Sequence, residues 1–299
     1  MPPDGVPLPE PLRRSRRSLL ADGTLLLASG LAGRALAAQA GGVTFGLLTD
    51  IHYADKDPAG TRHYRESLPK LEAAAEALRR AEPDFVVELG DLVDAADAPA
   101  TELRWLATID RAFSRASADR HYVLGNHCVD TLTKEEFLGA VGRETSHYSF
   151  DRGGIHFVVL DACFRSDGVP YGRHNSVWTD ANIPPGELEW LTADLAAAPS
   201  PTIVLAHQRL DVASDHGVRG AERVRKILED SGNVVAVFQG HSHANALTTI
   251  AGIHYLTLVA MVEGSGAESS GWALVHVAPD ASLRVEGFAR QESHDWPAP

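Results

Sequence analysis

Nine polar residues stand directly behind apolar runs in this chain: Asp50 and His52, Asp91 and Asp94, Asn126 and His127, His207, and His241 and His243. Four of the imidazoles (His52, His207, His241, His243), two carboxylates (Asp50, Asp91) and the Asn126 amide form a donor set that needs no thiolate. Such a set suits Mn, Fe or Zn better than the all-oxygen shells of Ca or Mg. Residues two apart on an extended segment point the same way, so "HSH" (His241 to His243) and "DIH" (Asp50 to His52) can each face two adjacent ions. Seven candidate donors exceed what one tetrahedral site takes up, and two ions sharing a carboxylate fit the count. Taken alone, a His after a strand is more often a hydrogen-bonded structural or surface residue than a ligand, and an Asp there is often a helix cap. Agreement at five strand ends is what points to a site.

The elements that must bring these residues together are legible from periodicity. "VTFGLLTD", "DFVVELGD", "RHYVLGNH", "IHFVVLDA", "TIVLAHQ" and "VVAVFQGH" are continuous apolar runs of the kind found in sheets buried on both faces. Between them, "ESLPKLEAAAEALRRA" places Leu71, Ala74, Ala75 and Leu78 on one helical stripe. After His243, "ALTTIAGIHYLTLVAM" and "GWALVHVAPDASLRVEGFA" read as antiparallel strands joined by short turns. The expected fold is an α/β four-layer sandwich of two mixed β-sheets flanked by helices, with the site at the carboxyl ends of the strands, where open sheets hold ligands. A loop over residues 164–185, rich in Gly, Pro, Asn and Asp, is the one long irregular connection expected.

Composition narrows the function. With 299 residues, 44% apolar and 22% charged, the chain is ordinary globular material. Its first forty residues differ: a Pro-rich lead, then "RRSRRSLL", an apolar stretch, and small residues at Ala35, Ala37 and Ala40. That order is a secretory signal, and "SRRSLL" resembles a twin-arginine address read by the export machinery, although Asp22 interrupts the apolar stretch. The competing reading is a basic tail. The stretch falls short of the ~20 residues of a stable membrane anchor. The expected layout is a signal peptide over residues 1–40, a domain over residues 41–292, and a periplasmic or extracellular protein. Without residues 1–40, which hold five Arg and three acidic residues, 22 basic and 37 acidic residues remain, a formal charge of −15. Such a surface opposes binding to nucleic acid, and an acidic protein acting on small phosphorylated substrates needs cations to supply positive charge.

"DIH", "GDLVD" (Gly90 to Asp94), "GNH" (Gly125 to His127), "AH" (Ala206, His207) and "GHSH" (Gly240 to His243) resemble, in order, the motif set of the calcineurin-like metallophosphoesterases. "DIHYAD", "RHYRESL", "GIHFVVLDA" and "VAMVEGSG" are similar to the branch of manganese-dependent ADP-ribose/CDP-alcohol diphosphatases, which tends to carry Gln where His52 stands. The resemblance implies that Asp50, His52 and His243 hold one metal ion, that Asn126, His207 and His241 hold another, and that Asp91 bridges them. It further implies a hydrolase acting on phosphate mono- or diesters or nucleotide diphosphates by in-line attack of a hydroxide bridging the two metals. His127 would protonate the leaving oxygen, and Asp94 would orient that imidazole and favour its protonated form. Two other functions could use the same residues: a nuclease, and a non-catalytic metal- or phosphate-binding protein.

The resembled family carries an acid after "GNH", where this chain has Cys128. Cys163 follows "FVVLDA", a strand expected to end on the same side. In an exported protein the two thiols can form a disulfide tying the catalytic loop to that strand, or remain free and buried. The residues that bind substrate are left open by the sequence, with the 164–185 loop, Tyr53, Arg62 and Arg65 as the places to look.

Overall fold

The computed structural model describes residues 42–299, so the expected signal over residues 1–40 lies outside the described residues. Two six-stranded sheets form the body of the domain. In the first, β1 (Val43–Leu48), β2 (Phe85–Glu88) and β3 (Arg120–Tyr122) run parallel. Beyond β1 the sheet continues antiparallel through β10 (Gly271–Val277), β11 (Leu283–Ala289) and β12 (His294–Trp296). In the second, β5 (Ile155–Val159), β6 (Thr202–Leu205), β7 (Val234–Gln239) and β9 (Ile253–Thr257) are parallel. Antiparallel edge strands β4 (Tyr148–Arg152) and β8 (Ala246–Ile250) close its two sides.

All six apolar runs singled out in the sequence are strands, and both sheets are mixed, as expected. Strand β4 was not legible, because its residues are only half-buried or exposed and carry no apolar run. It pairs with β5 through the Gly153–Gly154 turn, where both glycines have positive φ. The domain also runs past residue 292: β12 pairs with β11 and buries Trp296 in the core between the sheets.

That core is aromatic at its centre. Phe45 stacks on Phe85 at 5.1 Å between centroids and meets Phe157 and Phe238 edge-on at 5.3 and 5.9 Å. Truncating a ring in such a cluster costs about 3–5 kcal/mol. On the outer face of the first sheet, α1 (Ser67–Ala81) and α2 (Pro99–Phe113) bury Leu71, Ala74, Leu78, Leu106 and Ile109. The short α3 (Lys134–Ala140) is opened by a capping box between Thr133 and Glu136. On the outer face of the second sheet lie α4 (Pro185–Ala197) and α5 (Ala221–Ser231), packed through Leu188, Leu191, Val224 and Leu228. The result is the helix–sheet–sheet–helix sandwich. Residues 164–184 contain no regular helix or strand. Among the described residues no helix is long and apolar enough to cross a membrane.

Candidate metal centre

Strands β1, β2 and β3 end at Asp50, Asp91 and Asn126, and strands β6 and β7 of the facing sheet end at His207 and His241. The chain does not leave these strands extended. Asp50, His52, Asp91, His241 and His243 all sit in the left-handed region, with φ of 50°, 45°, 60°, 70° and 58°. Each such non-glycine conformation costs roughly 1–3 kcal/mol and persists where the surroundings dictate it. The expectation that "DIH" and "HSH" present their side chains by strand alternation is therefore corrected: tight reversals at the strand ends do so. Three motif glycines allow the close approach. A Cβ on Gly125 would lie 2.2 Å from Asp91 Oδ1, one on Gly90 2.4 Å from the His207 ring, and one on Gly240 2.1 Å from Thr49 Oγ1.

The side chains converge. His52 Nε2 lies 3.6 Å from Asp50 Oδ1, 3.2 Å from His243 Nε2 and 3.5 Å from Asp91 Oδ2. Asp91 Oδ2 is also 3.1 Å from His207 Nε2, which is in turn 3.2 Å from His241 Nδ1. Two potential metal-binding groups result, Asp50–His52–His243 and Asp91–His207–His241, and a third made of His52, Asp91 and His127 overlaps both. Asp91 stands between the two sets, where one carboxylate can serve two ions.

Neighbouring groups fix each donor by its far side. Asp50 Oδ2 accepts from Thr49 Oγ1 at 2.8 Å and from the His241 N–H at 2.9 Å, while Oδ1 is buried without a partner. His207 Nδ1 donates to the Leu89 carbonyl at 2.8 Å, which turns Nε2 inward. His243 Nδ1 meets Glu263 Oε1 at 2.6 Å, with the same effect. Orienting partners of this kind are the usual second layer of a metal site. The remaining buried orphans include Asn126 Oδ1 and His241 Nε2. Buried polar atoms are rarely left unpaired, so the orphaned Asp50 Oδ1 and Asn126 Oδ1, beside the clustered Asp and His donors, fit a pair of bound cations of the Mn, Fe or Zn class.

Electrostatics agree. Burial alone would raise the Asp50 carboxyl, yet His243, His52 and His207 hold it well below its usual range. Asp91 is likewise held low against burial, by His207, His127 and His52. Burial opposes charge on His52 and His207, but the Asp91 and Asp50 carboxylates push both up to about 9. His241 goes the other way, to about 3, through burial and the neighbouring His207 charge. The two carboxylates thus draw positive charge into the centre.

Asp94 serves more groups than the sequence suggested. Its Oδ2 lies 3.5 Å from His127 Nδ1, 3.3 Å from His52 Nδ1 and 3.7 Å from Arg62, and Lys56 donates to its Oδ1 at 3.0 Å. Burial lowers the His127 imidazole below its ordinary value, against the pull of Asp91 and Asp94.

A cavity of about 180 Å³ opens on the centre, bordered by Arg62, Asn126, His127, Trp178, His216 and His243. Trp178, half-exposed on the 164–184 segment, has its ring 5.6 Å from that of His241. It also borders a second cavity of about 300 Å³ with Asp130 and Val177. Of the three side chains suggested for substrate, Arg62 reaches the centre, whereas Arg65 is tied at the surface to Asp55 and Asp57 and Tyr53 is half-buried beside the Asp94 loop. Glu263 lies within "VAMVEGSG" and Trp178 within the 164–185 loop, but neither they nor His216 stand out in the sequence as site residues, since none lies in one of the five strand-end motifs.

The disulfide alternative is corrected: Cys128 and Cys163 are both free and buried. Cys163 Sγ faces the Leu124 carbonyl at 3.5 Å and accepts from the Gln208 amide at 3.7 Å. Cys128 lies in the apolar cluster with Leu124, Val129 and Leu132. Burial raises both thiols well above their usual range, with Glu88 and Asp91 adding to it at Cys128. Neither is poised as a thiolate ligand. Glu88, fully buried next to this cluster, is itself held well above the usual carboxylate range by burial.

A family model described as calcineurin-like phosphoesterase matches residues 43–245. The chain is similar to the manganese-dependent ADP-ribose/CDP-alcohol diphosphatase of Arabidopsis thaliana, 26% identical over 302 residues that cover 85% of this chain and 96% of that protein. It is similar also to the protein of that name from Xenopus tropicalis, at 23% identity over 79% and 89% of the two chains. A solved dimetal phosphatase from Danio rerio shares the fold, with a TM-score of 0.75 and 22% identity over 86% of this chain and 99% of that one.

Proposed function

The chain belongs to the calcineurin-like phosphoesterase family and is a metal-dependent phosphoric ester hydrolase, and on that premise we propose that it cleaves the diphosphate linkage of small nucleotide-type substrates at a pair of divalent cations. The observation that carries this reading is Asp91, whose Oδ2 lies between the two donor sets, 3.5 Å from His52 and 3.1 Å from His207. The relatives named for ADP-ribose and CDP-alcohols support the substrate class.

Asp50, His52 and His243 would hold one cation and Asn126, His207 and His241 the other, with Asp91 shared. When bound, such a pair supplies Lewis acidity at the phosphoryl oxygens and activates water for in-line attack. The protein does the rest. His127 turns Nδ1 toward Asp94, so Nε2 is the atom left to give a proton to the leaving oxygen. Asp94, held by Lys56 and Arg62, keeps that ring in place. Arg62 brings a positive charge to the cavity mouth of an otherwise acidic protein, where a substrate phosphate would sit.

The test is a hydrolysis panel of ADP-ribose, CDP-choline, a phosphomonoester and an aryl phosphodiester, each with added Mn²⁺. Preference for the two diphosphates is expected. Turnover confined to the monoester would overturn the substrate class and keep the metal chemistry.

Residues 1–40 suggest export before action. A reporter fused behind them should leave the cytoplasm, and changing Arg16 and Arg17 to Lys should block it. Retention of the unaltered fusion would leave a basic tail.

A further inference from the structure

Lys70 lies on the sheet-facing side of α1 and is 2% exposed. Burying an ammonium is costly unless its donors are paired. Among the described residues it has no carboxylate partner within ion-pair distance. Instead, Nζ donates to three main-chain carbonyls of one segment: Met261 at 3.0 Å, Glu263 at 3.0 Å and Gly264 at 2.7 Å. One turn earlier, Glu66 grips the same segment from its donor side, accepting from the Gly266 N–H at 2.7 Å and from Ser265 Oγ at 2.9 Å. The other edge of the segment is sewn to the metal loop, with the Val262 N–H donating to the Asp50 carbonyl at 3.0 Å. In its middle stands Glu263, the partner that turns His243 toward Asp50 and His52.

We propose that Lys70 is a positioning residue of the metal centre: by gathering the carbonyls of residues 261, 263 and 264 it sets the Glu263 carboxylate, and through it the His243 ring. A side chain without donors at position 70 would leave the buried Met261 carbonyl and the part-buried Glu263 and Gly264 carbonyls without this partner, and the segment would rotate to find others. Glu263 would move with it. The proposal rests on His243 as a metal ligand.

The experiment is a double-mutant cycle read by Mn²⁺ binding, with full-length metal-free protein titrated calorimetrically. Lys70→Met should weaken one of the two bound ions about 10- to 100-fold, the range for losing an orienting partner, and leave the other within about threefold. Glu263→Gln should do the same. The two changes together should cost little more than either alone, because both act through one carboxylate. Losses that multiply would overturn the proposal, as would wild-type binding by folded Lys70→Met. If Lys70→Met does not fold, Lys70→Gln, which keeps two donors, takes its place with a smaller loss and the same non-additivity expected. A second readout needs no metal: the hydrogen-bonded Nδ1 proton of His243, assigned by its absence in His243→Asn, should shift in the Lys70 variant. His243→Ala that still binds both ions normally would sink the metal assignment itself. Loss of an ion in His243→Ala but not in the Lys70 variant would sink only the positioning role.

Discussion

The main-chain N–H of His127 donates to Asp91 Oδ1 at 2.8 Å, so the loop that carries the proposed proton donor is tied to the carboxylate between the two donor sets. Gly125 permits this, since any Cβ there would collide with that oxygen. Asp91→Asn keeps the shape and removes the charge. It should lose both ions, measured as metal content of the purified protein, together with all turnover. Retention of both ions at wild-type affinity would refute the bridging role.

His127→Ala should keep both ions and lower turnover about 10²- to 10⁴-fold, the range for a missing general acid. The loss should shrink for leaving groups such as nitrophenolate that need no proton. An equal loss across leaving groups would point to His127 acting by position alone.

The two cysteines offer a direct chemical count. Denatured, unreduced protein should take up two equivalents of an alkylating agent, and reductant should not change its melting temperature, since both thiols are free. Cys128→Ser places a hydroxyl in an apolar cluster and should cost about 1–3 kcal/mol of stability. A single disulfide-linked species would contradict the structure.

His156 links stability to pH away from the metal centre. Its Nδ1 lies 2.8 Å from Asp151 and its Nε2 2.9 Å from Asp194, which also accepts from Ser149 at 2.7 Å. Burial opposes protonation, but the two carboxylates win and raise the imidazole above its ordinary 6.5. Because the folded value exceeds the unfolded one, the stabilisation is fully present below about pH 6.5 and is lost as pH rises through the folded value. His156→Gln should flatten that part of the urea-denaturation profile, with a modest effect because its partner Asp151 is exposed to solvent. An unchanged profile would remove His156 as its source.

Much of the site was legible because its residues obey two local rules at once. An apolar run ending in Asp, Asn or His marks a strand end in the chain itself, and the glycines beside Asp91, Asn126 and His241 mark close approach. Strand β4 escaped because a half-exposed edge strand has no apolar signature. What sequence could not determine was every relationship set by distance along the chain. Glu263 reaches His243 from 20 residues away and Lys70 reaches Met261 from 191, through hydrogen bonds that impose no periodicity on either partner. The left-handed turns at Asp50, His52, Asp91, His241 and His243 run against the intrinsic preference of those residues, so only the surrounding fold can impose them. The cysteines show the same division: two thiols on neighbouring strand ends permit a bond, and the tertiary positions that give Cys163 to Leu124 and Gln208 leave both free.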